Sequence, residues 1–251
     1  GTCSEDGRRG TVVVGGQTPN SQPNCDTGAV PNFTVTFNVS SAADNAALLI
    51  TANHQDAAGN SAVQATQNVV KDTINPTVAI TSAPSINATN EAAYVVEGSC
   101  SEDGEDVVVK VGPGASPSVT VTCNILGAPQ WTATLDTSLE VDLNGIEVTA
   151  DHQDANGNDA LTASAFTLKD SIVPTVTITS TTNVNANNKT AYTMSGTCSE
   201  SGFEVTVSAG GEVPATQPIC GNSGTGLWSV TFDVSAAADS ATFDLFADHQ
   251  D

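Results

Sequence analysis

Two short motifs recur in step along this chain, and their fixed period constrains its fold more than any other feature. Asp151-His152-Gln153-Asp154-Ala155-Asn156-Gly157-Asn158 returns as Asn53-His54-Gln55-Asp56-Ala57-Ala58-Gly59-Asn60 and as Asp248-His249-Gln250-Asp251. Gly98-Ser99-Cys100-Ser101-Glu102-Asp103-Gly104 has counterparts starting at Gly1 and at Gly196. The three His, and the three Cys that lead these second motifs, are each 97 or 98 residues apart. A period of that length marks an array of similar domains. The 251 residues then divide into a partial repeat over 1–72, a complete one over 73–170 and a third over 171–251.

Within the complete repeat the apolar residues alternate with period two. Val78 and Ile80 share one face; so do Tyr94, Val96, Gly98 and Cys100, then Val107, Val109 and Val111. Val119–Cys123, Trp131–Asp136, Ile146–His152 and Leu161–Leu168 continue the pattern. Seven short segments rich in β-branched residues, separated by Gly, Pro, Asn and Asp, predict strands rather than helices. About 98 residues with seven strands is the size of an immunoglobulin-like sandwich. The neighbouring repeats repeat the inward set with conservative swaps: Trp131 becomes Phe33 and Trp228, Val96 becomes Met194, and Ile146, Val148 and Ala150 become Leu48, Ile50 and Ala52 or Phe243, Leu245 and Ala247. The expected fold is all-β: tandem seven-stranded immunoglobulin-like sandwiches. The linkers Lys71–Pro76 and Lys169–Pro174 are short and run straight into strands, so an end-to-end rod is expected.

The six cysteines form one pair per repeat: Cys3 with Cys25, Cys100 with Cys123, Cys198 with Cys220, at separations of 22, 23 and 22. Two Cys and one distant His per repeat do not make a structural zinc site, which takes four ligands. Three disulfides are expected, and with them an exported, oxidising location, extracellular or on a cell surface. Each closed loop stabilises its domain by about 3 kcal/mol on the chain-entropy argument. Against 28 Asp and Glu stand six Lys and Arg, a formal charge of -22. Such a chain repels phosphate backbones and anionic lipid, so neither nucleic acid nor membrane insertion is expected. Asn32, Asn38, Asn87 and Asn188 open Asn-x-Ser/Thr triplets, at the frequency that a chain this rich in those residues produces by chance.

Lettering the strands A to G brings the incoming linker, the B–C loop and the F–G loop to one pole of each domain. At the first complete junction these supply Asp72, Glu102, Asp103 and Asp154; at the next, Asp170, Glu200 and Asp251, with Ser201 in place of a second acid. Oxygen-rich sets of this kind suit calcium, which takes six to eight oxygen ligands. The competing reading is turn chemistry alone, since Asp-x-x-Gly-Asn is also what a tight loop needs. His54, His152 and His249 fall on the inward face of strand F, where a histidine closing a small core explains them without catalysis. No nucleophile elbow, phosphate loop or paired-His metal motif is present, and no enzymatic activity is expected.

Lys169-Asp170-x-x-x-Pro174-Thr175-Val176-x-Ile178-Thr179 at the opening of a repeat, and Ala-Asp/Asn-His-Gln-Asp-Ala-x-Gly-Asn late in it, resemble the bacterial immunoglobulin-like repeats of large surface proteins. The resemblance implies extracellular stalks of adhesins and fibres, in some members rigidified by junction calcium, with neighbouring repeats of the same or identical chains as partners. The His-Gln pair and the disulfide are departures from that pattern. The first repeat is expected to lack strand A and most of B, and the third to lack strand G. Two readings follow: an excerpt of a longer repetitive polypeptide, or strands donated by neighbouring chains. The leading function is therefore a structural filament or stalk region. The alternatives are a ligand-binding adhesin module, with the Gly221–Gly226 loop as its best candidate, and an accessory region of an extracellular hydrolase.

Overall fold

The computed structural model describes residues 1–26, 28, 32–113, 117–179, 182–222 and 224–250, and it is all-β. The chain forms two compact units, Gly1–Ile86 with Glu91–Lys169, and Asn87–Asn90 with Asp170–Asp251. In the first unit the earliest strands are β1 (Thr11–Val14), β2 (Asn45–Asn53) and β3 (Ala65–Lys71), one antiparallel sheet in the order β1–β2–β3.

The middle repeat follows with β4 (Val78–Ser82), β5 (Ile86–Asn87), β6 (Tyr94–Cys100), β7 (Asp106–Val111), β8 (Ser118–Thr122), β9 (Trp131–Leu135), β10 (Leu143–His152) and β11 (Ala163–Asp170). They make a sandwich of β4–β6–β9 against β5–β11–β10–β7–β8, the immunoglobulin-like arrangement that the period-two pattern predicts. Tyr94, Val96, Trp131 and Ala133 face Val107, Val109, Val111, Ile146, Val148 and Ala150 across a closed core. Burying each such aliphatic side chain contributes about 1.5–3 kcal/mol against the entropy of ordering it. Two particulars differ from the sequence reading. The short β5 was hidden because it offers only Ile86 to the core. The last strand starts at Ala163 rather than Leu161, because Leu161 is exposed and the chain there is still completing its turn through Ala160 N–H to the His152 carbonyl.

The second unit holds β12 (Val176–Ile178), β13 (Tyr192–Cys198), β14 (Val205–Ala209), β15 (Leu227–Phe232) and β16 (Leu245–His249). Here β12–β13–β15 and β14–β16 enclose Tyr192, Met194, Val205, Val207 and Trp228. All three disulfides form as paired from the sequence, with Cα–Cα distances of 5.8, 6.0 and 5.9 Å, inside the range a relaxed bridge requires.

The motif that begins Gly-x-Cys-Ser owes each residue to this packing. Gly98 pairs with Trp131 and Gly196 with Trp228 across the B and E strands. A Cβ on Gly98 would overlap both the Ala79 carbonyl oxygen and the Trp131 ring, and one on Gly196 would lie 2.7 Å from the Trp228 ring. The next residue but one, Cys100 or Cys198, enters the disulfide. The serine then clasps the incoming strand: Thr77 N–H donates to Ser101 Oγ at 2.9 Å, and Thr175 N–H to Ser199 Oγ at 2.8 Å.

Candidate functional site

The loop after β10 is built around one carboxylate. Asp154 Oδ1 accepts the backbone N–H groups of Asn156 and Asn158 at 2.9 and 2.8 Å, and Oδ2 accepts Asn158 Nδ2 at 2.8 Å. Gly157 supplies the positive φ of 90° that the turn needs. The same loop in the first repeat repeats the design with Asp56, Ala58, Gly59 and Asn60. These donors favour the ionised form, so both carboxyls are held below the ordinary aspartate value. The Asn158 amide is the largest cause at Asp154 and the Asn60 amide at Asp56, each followed by backbone N–H groups and opposed by burial.

The linker does meet this loop. Asp72 Oδ2 accepts Asn156 Nδ2 at 2.8 Å, the Asp72 carbonyl accepts Asn158 Nδ2 at 3.4 Å, and Asp72 Oδ1 accepts Ile74 N–H at 3.0 Å. Asn156 and Asn158 thus stand between Asp72 and Asp154. The other two acids of the expected set are engaged elsewhere. Glu102 Oε1 accepts Ser101 Oγ at 3.3 Å, and Asp103 Oδ1 accepts Ile125 N–H at 3.2 Å. In the second unit Asp170 Oδ1 accepts Ile172 N–H, the counterpart of the Asp72–Ile74 turn, and Glu200 donates its backbone N–H to His249 Nε2. Asp251 lies outside the described residues.

Among the described residues, no three His, Cys, Asp or Glu side chains gather as a metal cluster. At the Asp72 junction two neutral amides take the carboxylate oxygens that a cation would need. As placed, these residues do not fit an oxygen-coordinated calcium.

His152 and His249 are core closures. His152 is 3 % exposed, and its Nδ1 lies 2.8 Å from the Asp106 carbonyl; His249 is 6 % exposed, and its Nδ1 lies 3.1 Å from the Glu204 carbonyl. The Gln after His152 and the Gln after His54 tie their loops shut, Gln153 Nε2 to Asp159 Oδ1 and Gln55 Nε2 to Ser61 Oγ.

Two polar devices escaped the sequence reading. Lys169 is 1 % exposed, with Nζ 2.8 Å from Glu91 Oε2 and 3.1 Å from Asp142 Oδ1. Burial pulls its pKa down, and the two carboxylates more than reverse this. The first repeat keeps half of the arrangement as Lys71 and Asp44 at 2.7 Å. The second device is a glutamine clamp. Gln22 accepts Val12 N–H at 2.7 Å and donates to the Val12 carbonyl at 3.1 Å; Gln217 does the same to Val207 at 2.8 and 3.3 Å. An amide side chain there imitates a neighbouring strand, and in the middle repeat β8 pairs with β7 instead. Its signal was legible: a Gln three residues before the second Cys of the first and third repeats, and Thr120 in the middle one.

No protein-family model matches this chain, and no curated relative matches it. Solved structures similar to it include part of a 1.5-MDa bacterial ice-binding adhesin (22% identity, 96% of this chain and 80% of that chain, TM-score 0.40). A tetra-tandem repeat from the extending region of a large adhesion protein gives 21% identity over 100% of this chain and 69% of that one, at a TM-score of 0.33. The I9–I11 tandem of titin gives 13% identity over 98% and 86%, at 0.28. Likeness at this level leaves function to this chain's own residues.

Proposed function

We propose that this chain is a structural segment of an extracellular surface polypeptide, a run of disulfide-stapled immunoglobulin-like repeats that bears its place in a filament or stalk. One observation carries this reading: the residues that recur with the period are spent on holding the fold. Gly98 makes room for Trp131, Cys100 is bridged, Ser101 clasps the incoming strand, His152 closes the core, and Asp154, Gly157 and Asn158 shape a turn. A repeated catalytic or ligand-binding unit would instead repeat side chains that the fold does not use. Three disulfides support an oxidising compartment for the chain. Net charge -22 keeps it soluble and away from anionic surfaces.

Pulling the intact chain from its two ends in a single-molecule force experiment tests this. The stapled sandwiches should unfold as discrete events. Reductant should then release about 80 Å of further extension per bridge, from loops of 22 or 23 residues at about 3.5 Å each. Smooth extension at low force, without events, would remove the load-bearing reading. Calcium stiffening of the junction would need Asn156 and Asn158 to release Asp72 and Asp154. It would appear as unfolding forces that rise with calcium and fall with chelator.

A further inference from the structure

Among the described residues, the middle repeat alone carries a strand in the place of β8. It is the last strand in the order β5–β11–β10–β7–β8, and no described strand flanks its outer side. In the sister repeats the same segment is blunted. Val121 is replaced there by Pro23 and Pro218, and the segment shrinks to single bridges, Arg9 with Asn24 and Glu204 with Ile219. Proline and a shortened edge are common protections against edge-to-edge pairing. The middle repeat has neither.

The direction of the backbone groups of β8 follows from its pairing with β7. Val111 N–H donates to the Pro117 carbonyl at 3.2 Å, and Cys123 N–H donates to the Glu105 carbonyl at 2.8 Å. These bonds bracket the pairs Val109–Val119 and Val107–Val121. The odd-numbered residues therefore spend their N–H and C=O groups on β7, and Ser118, Thr120 and Thr122 aim theirs at the open side. Side chains alternate as well: Ser118, Thr120 and Thr122 are exposed, while Val119 and Val121 pack against the core and stay half-buried. Charge is absent from this edge. Residues 111–135 are the longest run without Asp, Glu, Lys or Arg in a chain of net charge -22. That run includes the exposed Ile125 and Leu126 just past β8.

We propose that β8 pairs antiparallel with β8 of a second copy of this chain, across a two-fold axis at Thr120. The sequence of the strand selects this occupant. Ser-Val-Thr-Val-Thr reads nearly the same in both directions, so Thr120 meets Thr120 of the second copy, Ser118 meets Thr122, and Val119 meets Val121. Valine falls on valine and hydroxyl on hydroxyl, as cross-strand pairing favours. Thr120 with Thr120, and Ser118 with Thr122, exchange both backbone bonds; Val119 and Val121 form the closer, non-bonded pairs and cover each other's open flank. A two-fold contact uses the same patch on both partners, and a palindromic strand meets that condition. The uncharged run keeps the self-repulsion of so acidic a chain away from the contact. The pairing joins two chains through their middle repeats, and it holds whether or not they form a stalk.

Sedimentation velocity on the intact chain, from about 1 μM to about 1 mM, tests this. The expected result is a reversible monomer–dimer equilibrium, with amide exchange slowed in the dimer at Ser118, Thr120 and Thr122 and unchanged at Val119 and Val121. Thr120→Pro removes only an outward N–H, so it should weaken the dimer by about tenfold or more. The Trp131 unfolding midpoint should stay at the parent value in that variant. Thr120→Lys and Thr120→Asp should each weaken the dimer, because like charges then meet at the axis, and an equimolar mixture of the two should restore it. A chain that stays monomeric at about 1 mM overturns the proposal. So does a dimer that survives Thr120→Pro, or one that leaves the three outward amides unprotected. A mixed pair that fails to recover overturns the register at Thr120. Protection of those amides in dilute monomer would assign the edge to another segment of the same chain and overturn the second copy as occupant.

Discussion

Replacing Gly98 with alanine exposes the tightest constraint in the repeat. In an ordinary strand the change is favourable by roughly 0.5–1 kcal/mol, because glycine gives up the most backbone freedom on folding. Here the added methyl meets two obstacles at once, the Trp131 ring and the Ala79 carbonyl oxygen. The ring could rotate only by breaking the bond from Trp131 Nε1 to the Ser99 carbonyl at 3.0 Å. The carbonyl could retreat only by parting β4 from β6, which are in register at Ala79 and Ser99. Overpacking of this kind costs about 1–3 kcal/mol, and rigid backbone on one side puts the cost at the upper end. Gly98→Ala should therefore destabilise the middle repeat by about 2–3 kcal/mol despite the entropic gain. Urea unfolding monitored by tryptophan fluorescence reads it cleanly. The chain has two tryptophans, and in a Trp228→Phe background Trp131 reports its own repeat alone. A Gly98→Ala midpoint equal to or above that of the parent would refute the steric argument and reduce the repeated glycine to coincidence.

Other perturbations follow the same reasoning. Replacing Cys100 and Cys123 together by serine should cost the middle repeat about 3 kcal/mol, the entropy of a loop of about 23 residues; non-reducing thermal unfolding should show the loss at Trp131 and not at Trp228. The carboxyls of Asp154 and Asp56 lie below the ordinary value of 3.8. Their contribution is thus complete above that value and is lost as pH falls through their lower folded values. Acid unfolding should begin only below about pH 4, and Asn158→Ala should move its onset upward. Glu91→Ala and Asp142→Ala should each be mild, since Lys169 keeps one partner. Together they strand a buried charge and should cost about 3 kcal/mol or more. Additive single losses in that double-mutant cycle would show that the lysine finds water.

The legible part of the fold was whatever repeats or alternates. Period two gave the strands because one face of each sheet is buried and the other is wet, so Val107, Val109 and Val111 could be read without coordinates. The cysteine pairs were legible because their separation recurs. Features made by long-range contact were not. Lys169 reads as a surface lysine until the sandwich carries Glu91 and Asp142 to it from 78 and 27 residues away. The glutamine clamp was missed because its use depends on the absence of a neighbour: among the described residues, Gln22 and Gln217 act where no strand flanks β1 or β14 on that side, while β8 supplies the neighbour in the middle repeat.

The acidic junction left two readings open in the sequence for a different reason. Turn chemistry and calcium chemistry use the same residues, because both need carboxylate oxygens facing inward on a tight loop with glycine at the bend. What separates them is where the donors come from. A calcium loop leaves its carboxylates short of donors and lets the cation complete them. The Asp154 loop completes itself, with two backbone N–H groups and the Asn158 amide on one carboxylate, and the Asn156 amide reaching to Asp72. The asparagines are therefore the residues to read. In the first repeat the position of Asn156 is Ala58, and Asp56 is completed by its own loop alone. The bridging amide is thus extra to the turn, present where a linker aspartate must be met. Asn156→Asp would put a third carboxylate beside Asp72 and Asp154 and remove the donor that joins them. It should weaken the junction in chelator and make its thermal midpoint rise with calcium, while the parent stays flat. A parent midpoint that climbs with calcium as steeply as the variant's would show that the amides yield to the cation and that the sequence reading of the acids was right.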